Sequence, residues 1–248
     1  MKTIMMTLCA LLANTAFADI VTWVGPSIGD WGEPDNWEDS FNVNRVPDQF
    51  DRAVVDDAQV VINDTEHFIV DTINVMENAT LRIDCDASLT LENDNDNLCA
   101  ECEIPDPTDH SRIDGSVILF RGAILVVQSK GIYTTDHKFT GTGHIIGTST
   151  PVNEIRIQPG KRMWNLLRNG TESGIRNHLT ITRDGQTGTA GLLNDGDIVC
   201  SDPGTLSIDS SIDLEDTANG IYMVDDKDAV VALNTAALEL EGDFVQTG

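Results

Sequence analysis

The sequence predicts an all-β chain wound as a right-handed parallel β-helix (β-solenoid) with an N-terminal Trp-rich cap. Three observations predict it. First, a short phrase recurs: a small residue, a Thr or Ala, then alternating apolar residues. It reads Asn78-Ala79-Thr80-Leu81-Arg82-Ile83, Gly122-Ala123-Ile124-Leu125-Val126-Val127 and Gly204-Thr205-Leu206-Ser207-Ile208, with a weaker copy at Asp228-Ala229-Val230-Val231-Ala232-Leu233. A repeated strand-and-turn unit points to stacked coils. Second, apolar residues alternate over long runs. Leu81, Ile83, Cys85, Ala87, Leu89 and Leu91 face one way, and so do Leu206, Ile208, Ser210, Ile212 and Leu214. Period two is the signature of a strand with one buried face; a helix needs apolar residues three and four apart. Third, the anchors Val61, Leu81, Ile124, Ile145, Leu206 and Val231 recur near multiples of about 20 residues, within the range of β-solenoid coils.

Taken in order, residues 1–18 read as an export signal. Lys2 gives a positive start, Ile4 to Ala13 is mostly apolar, and Ala16-Phe17-Ala18 is a small-x-small cleavage site. The apolar run is too short for a membrane span, and no later stretch is long enough for one. Residues 19–58 form the Trp-rich cap. Trp23, Trp31 and Trp37 lie among Gly and Pro turns, and such large rings suit the sealing of an open stack end. An aromatic platform for sugar is the alternative use. Residues 59–248 hold the repeats: Val60 to Asn63 ends at a turn and His67 to Val75 is the next strand region. Two stretches interrupt the rhythm. Residues 93–114, rich in Asp, Asn, Pro and Cys, read as an excursion loop, and Ile157 to His178 reads as a locally basic loop or short helical turn. Leu238 to Gly248 reads as a coil in progress, which suggests a fragment or an open end that meets a partner.

The net charge of −26 disfavours nucleic acid and anionic membranes as partners. It suits a soluble surface and divalent cations. Calcium has one candidate site, Asp94 and Asp96 within Glu92-Asn93-Asp94-Asn95-Asp96-Asn97, where side-chain oxygens recur at every second position. An ordinary acidic turn explains the same residues; no other cofactor is indicated. In an exported chain Cys85, Cys99, Cys102 and Cys200 are disulfide candidates. Cys85, at an inward position of its run, reads equally as a buried free thiol. The five histidines are dispersed, and neither a nucleophile elbow nor a phosphate loop is present. Carboxylate pairs for glycoside hydrolysis cannot be picked out among 41 acidic residues. The chain therefore reads as a non-enzyme, with a polysaccharide lyase or glycosidase as the runner-up.

Trp23-Val24-Gly25, Gly29-Asp30-Trp31, Asn36-Trp37, Pro47 and Asp51 together resemble the opening of large secreted bacterial surface proteins with parallel β-helix repeats. Leu193-Asn194-Asp195-Gly196-Asp197-Ile198 and Pro203-Gly204-Thr205-Leu206 are similar to rungs of those proteins and of autotransporter passengers. The resemblance implies fold and export, and carries no catalytic residues. The resulting expectation is a secreted or cell-surface structural or adhesive module whose partners are other surface proteins or polysaccharide. A carbohydrate-binding or polysaccharide-degrading β-helix protein and a calcium-dependent assembly protein are the alternatives.

Overall fold

The computed structural model describes residues 19–92, 111–128, 132–134, 137–147, 153–168, 174–176, 178–183, 188, 190–200, 205–216, 221–224, 230–233, 237–239 and 243–246. The chain is all-β, and its strands lie in three sheets that are parallel except at one edge. The single helical turn among the described residues is the three-residue 3-10 element Pro34–Asn36. No helix of the described residues is long and apolar enough to cross a membrane.

The chain visits the sheets in rotation, A then B then C. Its second winding is Arg52–Val55, Gln59–Ile62 and His67–Val70, and its third is Thr72–Val75, Thr80–Ile83 and Ser88–Leu91. Each strand pairs with the strand one winding earlier, so Ala53 stands on Ile73, Val60 on Leu81 and Phe68 on Leu89. The same pairing runs to the last described winding, Val230–Leu233, Ala237–Glu239 and Asp243–Gln246. Parallel pairing of neighbours requires a crossover between them, and here the other two sheets supply it.

Register places like residues in columns. In sheet A, Ser111, Ile132, Ile155, Ile181 and Ile208 follow one another; in sheet C, Leu89, Leu125, Ile145, Ile175 and Ile198 do. All of them are buried, and the apolar ones join one hydrophobic core shared by the three sheets. β-branched residues pack well on pleated, half-buried strands, which explains their excess here.

The recurrent phrase encodes corners. Ala79, at the entry to sheet B, is fully enclosed, and its carbonyl accepts from the Ser116 amide (3.0 Å) while the Ala58 carbonyl below accepts from the Thr80 amide (2.8 Å). Ala87 and Ala123 hold the same place at the entry to sheet C, followed by Gly143. A Cβ on Gly143 would lie 2.6 Å from the Ala123 carbonyl oxygen, so the corner admits only the smallest residue. The small residue thus marks the bend, and the following residues enter a strand.

Several expectations are corrected. The long alternating runs are each two strands in different sheets joined by a turn. Thr80–Ile83 lies in sheet B and Ser88–Leu91 in sheet C; Thr205–Ile208 lies in sheet A and Ile212–Asp216 in sheet B. The turn keeps an even spacing between inward residues, so the phase continues through the bend. Cys85 and Ser210 fall on those turns: Cys85 is half-buried and Ser210 exposed, and neither faces the core. His67 to Val75 is likewise two strands, divided at Asp71. The anchors change sheet between pairs, but within each pair, Val61 and Leu81 in B, Ile124 and Ile145 in C, and Leu206 and Val231 in A, the spacing of 20 to 25 residues is one winding. The stretch from Ile157 to His178 carries a regular sheet-B strand, Arg162–Leu167, whose outward Arg162 and Trp164 hid the alternation of buried Met163, Asn165 and Leu167. Ser111–Ile113, within the expected excursion, is a sheet-A strand between Thr72–Val75 and Ile132–Thr134.

At the N-terminal end the pattern changes. Ile20–Trp23 pairs in parallel with Arg52–Val55 on one side and antiparallel with Trp37–Glu38 on the other. The returning strand brings three tryptophans together. Trp37 meets Trp31 at 4.8 Å and Trp23 at 5.1 Å between centroids, both edge-to-face, and Trp31 lies against Phe68, the first residue of the sheet-C column. Edge-to-face contact matches positive ring edges to negative faces. Trp31 and Trp37 are fully buried, and the Trp37 indole donates to the Trp31 carbonyl (2.7 Å).

Candidate functional site

The sequence-predicted sites are not assembled by the described residues. Asp94 and Asp96, the calcium candidates, lie outside them, as do Cys99 and Cys102. Among the described residues no group of three or more His, Cys, Asp or Glu is placed to hold a metal ion. Cys85 carries a free thiol on the turn after Thr80–Ile83, where its amide donates to the Asp64 carboxylate (3.0 Å). Cys200 lies fully buried at the end of Asp197–Cys200 in sheet C. No disulfide is formed among the described residues.

The densest charged constellation is one that residue types and spacing did not single out. Arg45, on the loop between Trp37–Glu38 and Arg52–Val55, reaches Asp51 through two hydrogen bonds (2.5 and 2.7 Å), and its Nε donates to Asp39 (3.1 Å). Asp48 and Asp19 complete the surround at 4.0 and 3.9 Å. The bidentate contact to Asp51 uses the planar fork of the guanidinium, which suits a carboxylate. Asp51 is buried, whereas Asp48 is exposed. The hydrogen bonds Arg45 donates to Asp51 chiefly hold its pKa above its ordinary value, against the opposing effect of burial.

Asp39 organises the tip of this loop. Its Oδ1 accepts from the amides of Phe41 and Val43 (2.9 Å each), and its own amide donates to the Val43 carbonyl (3.1 Å). Those amides, Val43 foremost, hold its carboxyl below the usual carboxylate range despite some desolvation, and Arg45 adds to the effect. The turn is self-contained: one carboxylate fixes the backbone on one side and meets a guanidinium on the other. Phe41 and Val43 consequently project outward, 78% and 52% exposed.

A second polar feature lies inside the stack. Asn165 and Asn194 stand one above the other in the sheet-B column that begins Val60, Leu81, Val117, Phe139. Both are fully buried; the Asn165 amide donates to Asn194 Oδ1 (2.7 Å) and to the Asp197 carbonyl (3.0 Å). Satisfied in this way, buried amides are tolerated where a lone one would be costly. The arrangement bonds successive windings to each other and presents no reactive group to solvent.

The outer faces carry short-range ion pairs. Arg82 bonds Asp84 and Arg112 bonds Asp114 two residues along the chain, and Arg162 of sheet B meets Glu215 two windings on at 3.1 Å. Lys138 Nζ sits 5.6 Å from the centroid of the Trp164 ring, its register neighbour. Trp164 is therefore shared with a lysine on one side of its ring.

Comparison with known proteins finds no match: no protein-family model fits the chain, and neither a curated protein nor a solved structure is significantly similar to it.

Proposed function

We propose that this chain is an exported, right-handed parallel β-solenoid, closed at its N-terminal end by the tryptophan cap, and that it serves as a structural or adhesive module of the cell surface or extracellular matrix. The observation that carries the reading is the continuous register of the three sheets. Inward columns of Ile, Leu and Val supply a core, and the outward positions carry ion pairs such as Arg82–Asp84 beside apolar residues such as Val61 and Val126. Such a body displays chemistry at a fixed spacing. A net charge of −26 disfavours nucleic acid as the partner.

Export and surface display are tested together on intact producing cells. Brief protease treatment followed by immunodetection is expected to degrade the chain before the cells are lysed. Complete protection until lysis, with an exported control degraded, contradicts the reading.

A further inference from the structure

Among the described residues, six of the nine exposed large apolar side chains lie at the N-terminal end. Ile20, Val24, Ile28, Phe41, Val43 and Phe50 all belong to the first winding or to the loop that follows it. Phe41 is the most exposed, and it sits on a turn that Asp39 has already fixed. These residues are not needed to seal the stack. Trp31 and Trp37 already do so at full burial, and the partly buried residues packed on the core are Val46 and Phe68. An ordered turn that holds a phenyl ring in water loses solvation entropy with no return inside the chain.

The electrostatics around the turn are one-sided. From Asp19 to Asp51 there are eight carboxylates and one cation, Arg45. Arg45 is committed to Asp51 and Asp39. Asp35, tied to the loop through the Asn44 amide (3.2 Å), and Asp48, tied to it through the Phe50 amide (2.9 Å), are both exposed. A second copy of so acidic a chain would meet repulsion here.

We infer that the 39–51 loop is a docking site for a basic, apolar segment of another protein, whose apolar residue packs on Phe41 and Val43 while its Lys or Arg side chains pair with Asp35 and Asp48. This names a partner class for the module proposed above and rests on that reading only for where the two meet. Preorganisation is the physical gain: the turn is ordered before binding, so its ordering is not charged against affinity. Surplus carboxylate speeds encounter and selects the sign of the partner.

The test is selection from a random-peptide phage library against residues 19–248, with counter-selection on the Phe41→Ser/Val43→Ser variant. Enriched sequences are expected to combine an apolar residue with two or more Lys or Arg. A synthetic copy should bind wild type about tenfold more tightly than the variant. Asp35→Asn/Asp48→Asn should weaken it and flatten its salt dependence, and Phe120→Ser, an exposed aromatic on another winding, should leave it unchanged. All variants alter exposed groups, and matching melting curves establish that they fold; the single substitutions Phe41→Ser and Asp48→Asn replace a double variant that does not. Enrichment that survives counter-selection, failure to enrich basic apolar sequences, or loop-dependent self-association in sedimentation would each overturn the inference. The last would make a second copy the occupant. None of these outcomes bears on the protease result, so the two readings fail separately.

Discussion

Arg45 joins segments that the sequence keeps apart: Asp19 ahead of the first strand, Asp39 on the turn, and Asp48 and Asp51 before the second winding. Asp51 is buried, so removing its cation leaves a charge with little water to answer it. Arg45→Met should cost on the order of 3 kcal/mol, because breaking a buried pair costs far more than the pair contributes net. For a chain of this size that is a fall in melting temperature of roughly 6–12 °C. Arg45→Met combined with Asp51→Asn should recover most of it; no recovery would mean that Arg45 acts mainly through Asp39 and the turn. Acid provides a second residue-scale check. Asp209, on the turn before Ile212–Asp216, is held below the usual carboxylate range by hydrogen bonds from the Ser211 hydroxyl and amide. A depressed folded pKa contributes stability that is present above the unfolded pKa and lost as pH falls through the folded value. Wild type should therefore lose melting temperature below about pH 4, and Asp209→Asn should lose less over that window. Equal slopes would remove Asp209 from the account. Neither cluster was legible in the sequence. The partners of Arg45 are ordinary aspartates at irregular spacings, and only the returning strand Trp37–Glu38 brings them round one guanidinium.

Strands and corners obey different constraints. Within a strand the alternation is directly readable, because a one-residue slip would turn every inward side chain to water. Leu81 is fully buried between Val60 and Val117, while its neighbour Val61 lies on the outer face. Leu81→Asp should abolish cooperative unfolding, since an uncompensated charge would enter the core. Val61→Asp should shift the melting temperature by only a few degrees. Comparable losses from both would contradict the assignment of faces. Corners were harder to read. Alternation puts Cys85 and Ser210 in strands because its phase passes unbroken through their turns, and period alone does not report a change of direction. Arg162–Leu167 was missed for the opposite reason: its charged and aromatic outward residues, Arg162 and Trp164, drew attention from the inward Met163 and Leu167, and a buried asparagine stood between them. An Asn at an inward position looks like a break until its neighbour one winding on, Asn194, is found beneath it.

At the scale of the molecule, neighbouring strands in each sheet are a full winding apart in sequence. Val75 pairs next to Ile113 although 37 residues separate them in sequence, so the register continues across a longer winding. The sequence conveyed the parallel strands and a unit near 20 residues, as Arg52 to Thr72 and Ile124 to His144 show, while the phrase that repeats marks corners of different sheets. The proposed solenoid requires distance along the stack to grow with winding number, independently of separation in sequence. Gln59, Lys138 and Leu193 lie in one outward column of sheet B, linked through Thr80, Ser116 and Trp164. Spin labels on cysteines at these positions, in a background with the native cysteines replaced by serine, allow the spacing to be read by pulsed electron resonance. At about 4.8 Å per winding, Gln59 to Leu193 should give about 24 Å between backbones, and Gln59 to Lys138 about 14 Å. Distances that rise in that ratio are what stacked windings demand, whereas a Gln59–Leu193 distance equal to or shorter than Gln59–Lys138 would contradict them.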